Sequence, residues 1–174
     1  PTTTQFTSDA NTLLLIHGGE AYTGALTGET EQACYHFDGT GDSLTIPDHA
    51  DWQLGGGTGN FTAEAWVYNH STAEVYVFSQ ITDSDNRWYL HISGGDSLDF
   101  LLKDSDITRV TMSAGSVPVD TWSHIAVIRG WSGNADDWAI TIDGAAVATD
   151  TSNSSTAVDL AAILAIGEKG DSST

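Results

Sequence analysis

Short runs along the chain alternate apolar and polar side chains: "SLTIP" (43–47), "FTAEAWVY" (61–68), "EVYVFSQ" (74–80), "RWYLHI" (87–92), "SLDFLL" (97–102), "SHIAVIR" (123–129), "WAITID" (138–143) and "AAVAT" (145–149). Period two puts every second side chain on one face of an extended strand, so each run predicts a half-buried β-strand. Between them lie "FDGTGD", "LGGGTGN", "SGGD", "KDSD", "WSGNADD", "IDGA" and "TSNSS", rich in the Gly, Asp, Asn and Ser that tight turns favour. A turn every 8 to 12 residues predicts about a dozen short strands in a sandwich or barrel. "VDLAAILAI" (158–166) reads as a further strand or a single helical turn. With no internal repeat and no linker, residues 1–174 read as a single all-β domain.

Composition narrows the functions. Twenty-four acidic residues against five basic ones give a net charge of −19, which repels nucleic acid and anionic lipid headgroups. No apolar run approaches the roughly 20 residues a bilayer span needs, so membrane insertion is not expected. Cys34, the single cysteine, forms no intrachain disulfide and in "ACYHF" reads as a small buried hydrophobe. The opening "PTTTQFTSDA" lacks the basic start and apolar core of a secretory signal.

The order "TLLLIHGG", "FDGTGDSLTIPD", "FTAEAWVY", "WYLHI", "TWSHIAVIR", "ITIDGAAVA", "LAIG" resembles successive strands of the laminin G-like and pentraxin-like jelly rolls of the concanavalin A-like lectin/glucanase superfamily, over nearly the whole chain. The resemblance implies an antiparallel two-sheet jelly-roll sandwich. The variant opening with "NTLLLIH" is also similar to domains of bacteriophage structural and tail proteins. It implies a lectin-like adhesion module on a virion or extracellular surface with a cell-surface glycan as ligand. The alternative is a structural module that binds other protein subunits and no sugar. In the family a closing strand follows "LAIG", whereas this sequence ends in "EKGDSST". The expectation is therefore a fragment, or a gap covered by a neighbour through homo-oligomerisation or strand donation.

Catalytic signatures are sparse. The superfamily's glucanases carry Glu, apolar, Asp, apolar, Glu on one strand, and no such run exists here. Asp99 has no Glu two residues away and Glu64 stands alone on its strand. Histidines at 17, 36, 49, 70, 91 and 124 form no close metal-binding pair. "LGGGTGN" leads into a strand and carries no Lys, unlike a phosphate loop. Recognition without catalysis is the expectation, with a glycan hydrolase or lyase of the same fold as the lesser alternative.

Sugar rings stack their C–H faces on aromatic side chains, with neighbouring amides and carboxylates taking the hydroxyls. Trp88 and Trp131 adjoin polar turns and, with Asn86 and Asn134, are the expected ligand-binding residues. Trp66, Trp122 and Trp138 fall at family strand positions and are expected in the core. The pentraxin side of the resemblance implies a calcium ion, since "DSDNRWYLHI" and "ILAIGEKGDSS" sit where pentraxins place their ligands. Asp85, Asn86 and Asp171 are the matching positions, while Lys169 falls where an acidic ligand is expected.

Overall fold

The computed structural model describes residues 34–37, 41–70 and 72–170. The chain divides into two compact units, 1–37 and 38–174. The sandwich belongs to the second; "TLLLIHGG" and Asp171 lie outside the described residues.

Ten strands are described in this second unit: β1 (Leu44–Ile46), β2 (Phe61–Tyr68), β3 (Val75–Ile81), β4 (Arg87–Ile92), β5 (Leu98–Asp104), β6 (Ile107–Ala114), β7 (Trp122–Arg129), β8 (Trp138–Ile142), β9 (Ala145–Asp150) and β10 (Leu164–Ile166). They build an antiparallel six-stranded sheet, β1-β10-β3-β4-β5-β6, and an antiparallel four-stranded sheet, β2-β7-β8-β9. The two-sheet jelly-roll sandwich is thereby established. β6 is a strand beyond the alternating runs given above, with Val110 and Met112 facing inward from it. Of "VDLAAILAI" only the last three residues are strand.

Turn chemistry fixes the strand pairings. Between β8 and β9 sit Asp143 and Gly144, both with positive φ (50° and 78°), as a two-residue hairpin of the right twist requires. The Asp143 carboxylate accepts the His124 amide at 2.8 Å, tying this hairpin to the start of β7. Gly130 ends β7 with φ 96°, and a Cβ there would lie 2.5 Å from the Asn60 side chain, so the chain turns here only without one.

The core lies between the sheets, built from alternate residues of each strand: Leu90 and Ile92 of β4, Leu98, Phe100 and Leu102 of β5, Ile125 and Val127 of β7, and Trp138 and Ile140 of β8. Trp138 is fully buried, edge-on to Phe61 at 5.5 Å and stacked on Phe100 at 5.9 Å, with the Arg129 guanidinium 5.0 Å from its ring centroid. Arg129 is itself buried, and desolvation lowers its pKa. It donates from Nε to the Ala135 carbonyl and from Nη1 to that of Gly57, both at 2.9 Å. Buried Gln80 meets its needs in full: its amide donates to the carbonyls of Leu160 and Ala162, and its oxygen accepts the Trp88 indole N–H at 3.0 Å.

Candidate functional site

The four-stranded sheet exposes aromatic side chains on its outer face. β2 turns Phe61, Ala63, Ala65 and Val67 inward, so Thr62, Glu64, Trp66 and Tyr68 point out. β7 contributes Trp122 and His124 to the same face, Tyr68 opposite Trp122 and Trp66 opposite His124. Trp66 is 64% exposed, Trp122 45% and Tyr68 38%. Ring centroids are 5.4 Å apart for Trp66 and His124, 5.5 Å for Tyr68 and Trp122, and 4.6 Å for Tyr68 and His70. Hydrogen-bonding groups flank the rings: Glu64 is 3.4 Å from His124 Nε2, and Asp120 is 3.1 Å from His70 Nδ1. The core positions expected for Trp66 and Trp122 are therefore corrected. The inward places on these strands are filled by small and aliphatic residues, leaving both indoles outside.

The outer face of the six-stranded sheet carries a different arrangement. Tyr76, His91, Asp99 and Ser113 line up across β3 to β6, beside a second row of Ser79, Tyr89, Leu101 and Thr111. The Tyr76 and Tyr89 rings meet edge-on at 5.3 Å, and His91 lies 5.0 Å from the first and 4.7 Å from the second. Although buried, His91 has Asp99 Oδ2 3.3 Å from Nε2 and Glu74 Oε1 3.1 Å from Nδ1, the latter off the line of a hydrogen bond. Burial pushes the Asp99 carboxyl up, but hydroxyl donation from Ser113 and Ser97, together with His91, outweighs it and holds the group below its ordinary value. Burial raises both phenols, and Glu74 adds to the rise at Tyr76 by accepting its hydroxyl at 3.2 Å.

The expected ligand-binding residues fall in three places. Trp88 is buried between the sheets with its N–H on Gln80, so it offers no face to a sugar; that expectation is corrected by the strand's parity, which turns Arg87, Tyr89 and His91 outward instead. Trp131 is half-buried in the β7–β8 loop, and exposed Asn134 shares that loop, donating its backbone N–H to the Trp131 carbonyl at 3.2 Å. The Asn134 amide is engaged locally, with Nδ2 on Asp137 and Oδ1 accepting the Asp136 N–H.

Asn86 and Asp85 occupy the β3–β4 loop. Asp83 Oδ1 gathers the backbone N–H groups of Asp85 and Asn86 and the Asn86 side-chain amide. These bonds, that from Asp85 foremost, lower its pKa. Asn86 Oδ1 accepts the Ser105 N–H. Lys103 bridges Asp106 at 2.6 Å and Asp85 at 3.3 Å, so an ammonium already sits against Asp85, one of the acids expected around calcium. Among the described residues no group of three or more His, Cys, Asp or Glu side chains is arranged to hold a metal ion. Cys34, expected to be buried, is exposed in a stretch without strand.

Residues 38–174 match the laminin G-like family of the concanavalin A-like lectin/glucanases superfamily, and the chain belongs to that family. No curated protein sequence matches the chain at a significant level. Among solved structures, the CBM40 domain of a Ruminococcus gnavus sialidase bound to α2,3-sialyllactose is similar, with TM-score 0.53 and 14% identity over 68% of this chain and 67% of that one. Botulinum neurotoxin type C, whose cell entry depends on two ganglioside molecules, aligns with TM-score 0.53 and 14% identity over 76% of this chain and 32% of that one. The receptor-binding domain of botulinum neurotoxin D aligns with TM-score 0.53 and 15% identity over 73% of this chain and 33% of that one. The chain thus spans about a third of the neurotoxin chains. At such identities the likeness is one of fold. Among the described residues no helix is long and apolar enough to cross a membrane.

Proposed function

We propose that the chain is a noncatalytic, lectin-like recognition module that holds glycan on the aromatic strip of its four-stranded sheet. The observation that carries this reading is the exposure of Trp66, Trp122 and Tyr68 side by side on one face. Apolar rings left in water cost free energy, and adjacent ones mark a surface that meets a partner. Sugars suit this one because their C–H faces stack on indole and phenol rings, while Glu64, His124, His70 and Asp120 lie within reach of hydroxyls. The glycan-binding descriptions of the sialidase CBM40 domain and of botulinum neurotoxin type C are in keeping with this choice. The noncatalytic part rests on the missing Glu-x-Asp-x-Glu strand. We further propose display on a phage particle or other extracellular surface, with a cell-surface glycan as ligand.

The rival, a structural module that buries the same strip against another subunit, draws support from β2. Among the described residues this strand pairs only with β7, and an edge strand is where strand addition takes place. A glycan array with the intact chain separates the two: reproducible binding to defined glycans, lost in Trp66→Ala and Trp122→Ala, supports the lectin. A blank array together with a strip-dependent oligomer in solution supports the structural module.

A further inference from the structure

Only five side chains in the sequence carry a Lys or Arg charge, against twenty-four acids, so an uncommitted cation is a rare thing in this molecule. Three are spent on the protein itself. Lys103 holds Asp85 and Asp106, Arg109 pairs with Asp104 at 2.9 Å, and Arg129 is buried against backbone carbonyls. The remaining two, Arg87 and Lys169, make no ion pair or side-chain hydrogen bond among the described residues.

Both lie at the outer face of the six-stranded sheet. Arg87 points outward from β4 because Trp88 points in, and it sits opposite Lys103 on β5. Its Nε is buried and has no hydrogen-bond partner. A buried, unpaired guanidinium N–H costs free energy and is an uncommon feature of a folded protein. Tyr89 follows two residues along on the same face, its ring edge-on to Tyr76. Lys169 is exposed in the segment that crosses Ser79, whose hydroxyl donates to the Glu168 carbonyl and accepts the Gly170 N–H; Ser79 is the register partner of Tyr89. At the other end of the face, Asp99 and Glu74 are held by His91, Ser97, Ser113 and Tyr76. At the Arg87 end Asp85 and Asp106 are held by Lys103, the register partner of Arg87.

We propose that the Arg87 end of this face binds the carboxylate of an acidic sugar, with Tyr89 giving its ring an apolar contact. A guanidinium presents paired donors in a planar fork that matches a carboxylate, and with Nε buried a ligand carboxylate would meet the terminal N–H groups of Arg87. The net charge of −19 opposes an anion at long range, but that field is screened beyond about 8 Å at physiological salt, and Lys103 already pairs with Asp85 and Asp106 beside Arg87. The site stands whether or not the strip of the other sheet binds sugar.

Calorimetric or NMR titration of the full chain with 3′-sialyllactose and trigalacturonate, against lactose as the neutral control, tests it. Lactose should bind at least about tenfold more weakly than an acidic probe, and Arg87→Gln should remove about tenfold or more of the acidic affinity. Arg87→Lys, which keeps the charge and loses the fork, should fall between, and added salt should weaken binding. Circular dichroism identical to the wild type secures the variants, and salt dependence in the unaltered chain supplies a readout that needs no variant. Binding of neither acidic probe overturns the site. So does equal binding of lactose and sialyllactose, or an affinity that Arg87→Gln leaves unchanged; sugar binding of that kind leaves the strip's case intact.

Discussion

Trp66 on β2 stands directly across from His124 on β7, ring centroids 5.4 Å apart and tilted by 55°, on the side of the sheet away from the core. At 64% exposure the indole contributes little to the packed interior. Trp66→Ala should therefore shift unfolding free energy by no more than about 0.5 kcal/mol, the usual range for surface positions. A loss of several kcal/mol in urea denaturation would show that the ring is part of a core.

Trp138 is the opposite case. It is fully buried, packed on Phe61 and Phe100, and its indole N–H donates to the Asn153 carbonyl at 2.9 Å. Trp138→Ala should cost about 3–5 kcal/mol, as large aromatic truncations in cores do. It also strips the ring from over the buried Arg129, so a cost below about 1 kcal/mol would contradict the packing described.

Strand parity in the sequence separates the two kinds of tryptophan. In "FTAEAWVY" the positions sharing parity with Phe61 are all apolar, while Trp66 and Tyr68 share parity with Thr62 and Glu64. In "RWYLHI", Trp88 goes with Leu90 and Ile92, and Tyr89 with Arg87 and His91. Parity alone thus sends Trp66 outward and Trp88 inward, whereas closeness to a polar turn suggested otherwise for Trp88. Strands β2 to β5 and β7 to β9 were legible because alternation and turn residues agree there. The His91 cluster was not, because Glu74, His91 and Asp99 come from separate stretches that only strand register brings together.

Asp99 makes the fold sensitive to acid. Its carboxyl is held below its ordinary value, so it binds a proton more weakly in the folded chain than in the unfolded one. The stability it contributes is present above the ordinary carboxylate value of about 3.9 and is lost as pH falls through the folded value. Asp99→Asn should be less stable than wild type at pH 7, and the gap should narrow toward pH 3. Urea denaturation at several pH values reads this directly, and a gap independent of pH would remove Asp99 as the source.

Calcium at the β3–β4 loop has to displace the Lys103 ammonium from Asp85 and Asp106. Any rise in Tm with calcium should therefore need millimolar ion, vanish in Asp85→Ala and grow in Lys103→Met, where the competing charge is gone. A Tm indifferent to calcium and to EDTA in both wild type and Lys103→Met takes calcium out of the account.

The alkaline limb has its own marker. Burial raises Tyr76 and Tyr89, Glu74 adding at Tyr76, so each phenol holds its proton more tightly folded than unfolded. Their contribution is complete below the ordinary tyrosine value of about 10 and is lost as pH rises toward the folded values. Tyr76→Phe should flatten the fall in stability above pH 10, and an unchanged fall would place its origin elsewhere.

Sugar recognition is proposed to rest on the outward tryptophans, Trp66 and Trp122. The most direct measurement is a titration of the best array glycan into wild type, Trp66→Ala and Trp122→Ala, each with the wild-type circular dichroism spectrum. Each substitution should weaken binding by about 1–3 kcal/mol, as expected when a stacked aromatic anchor is removed. Unchanged affinity in both variants would contradict the account.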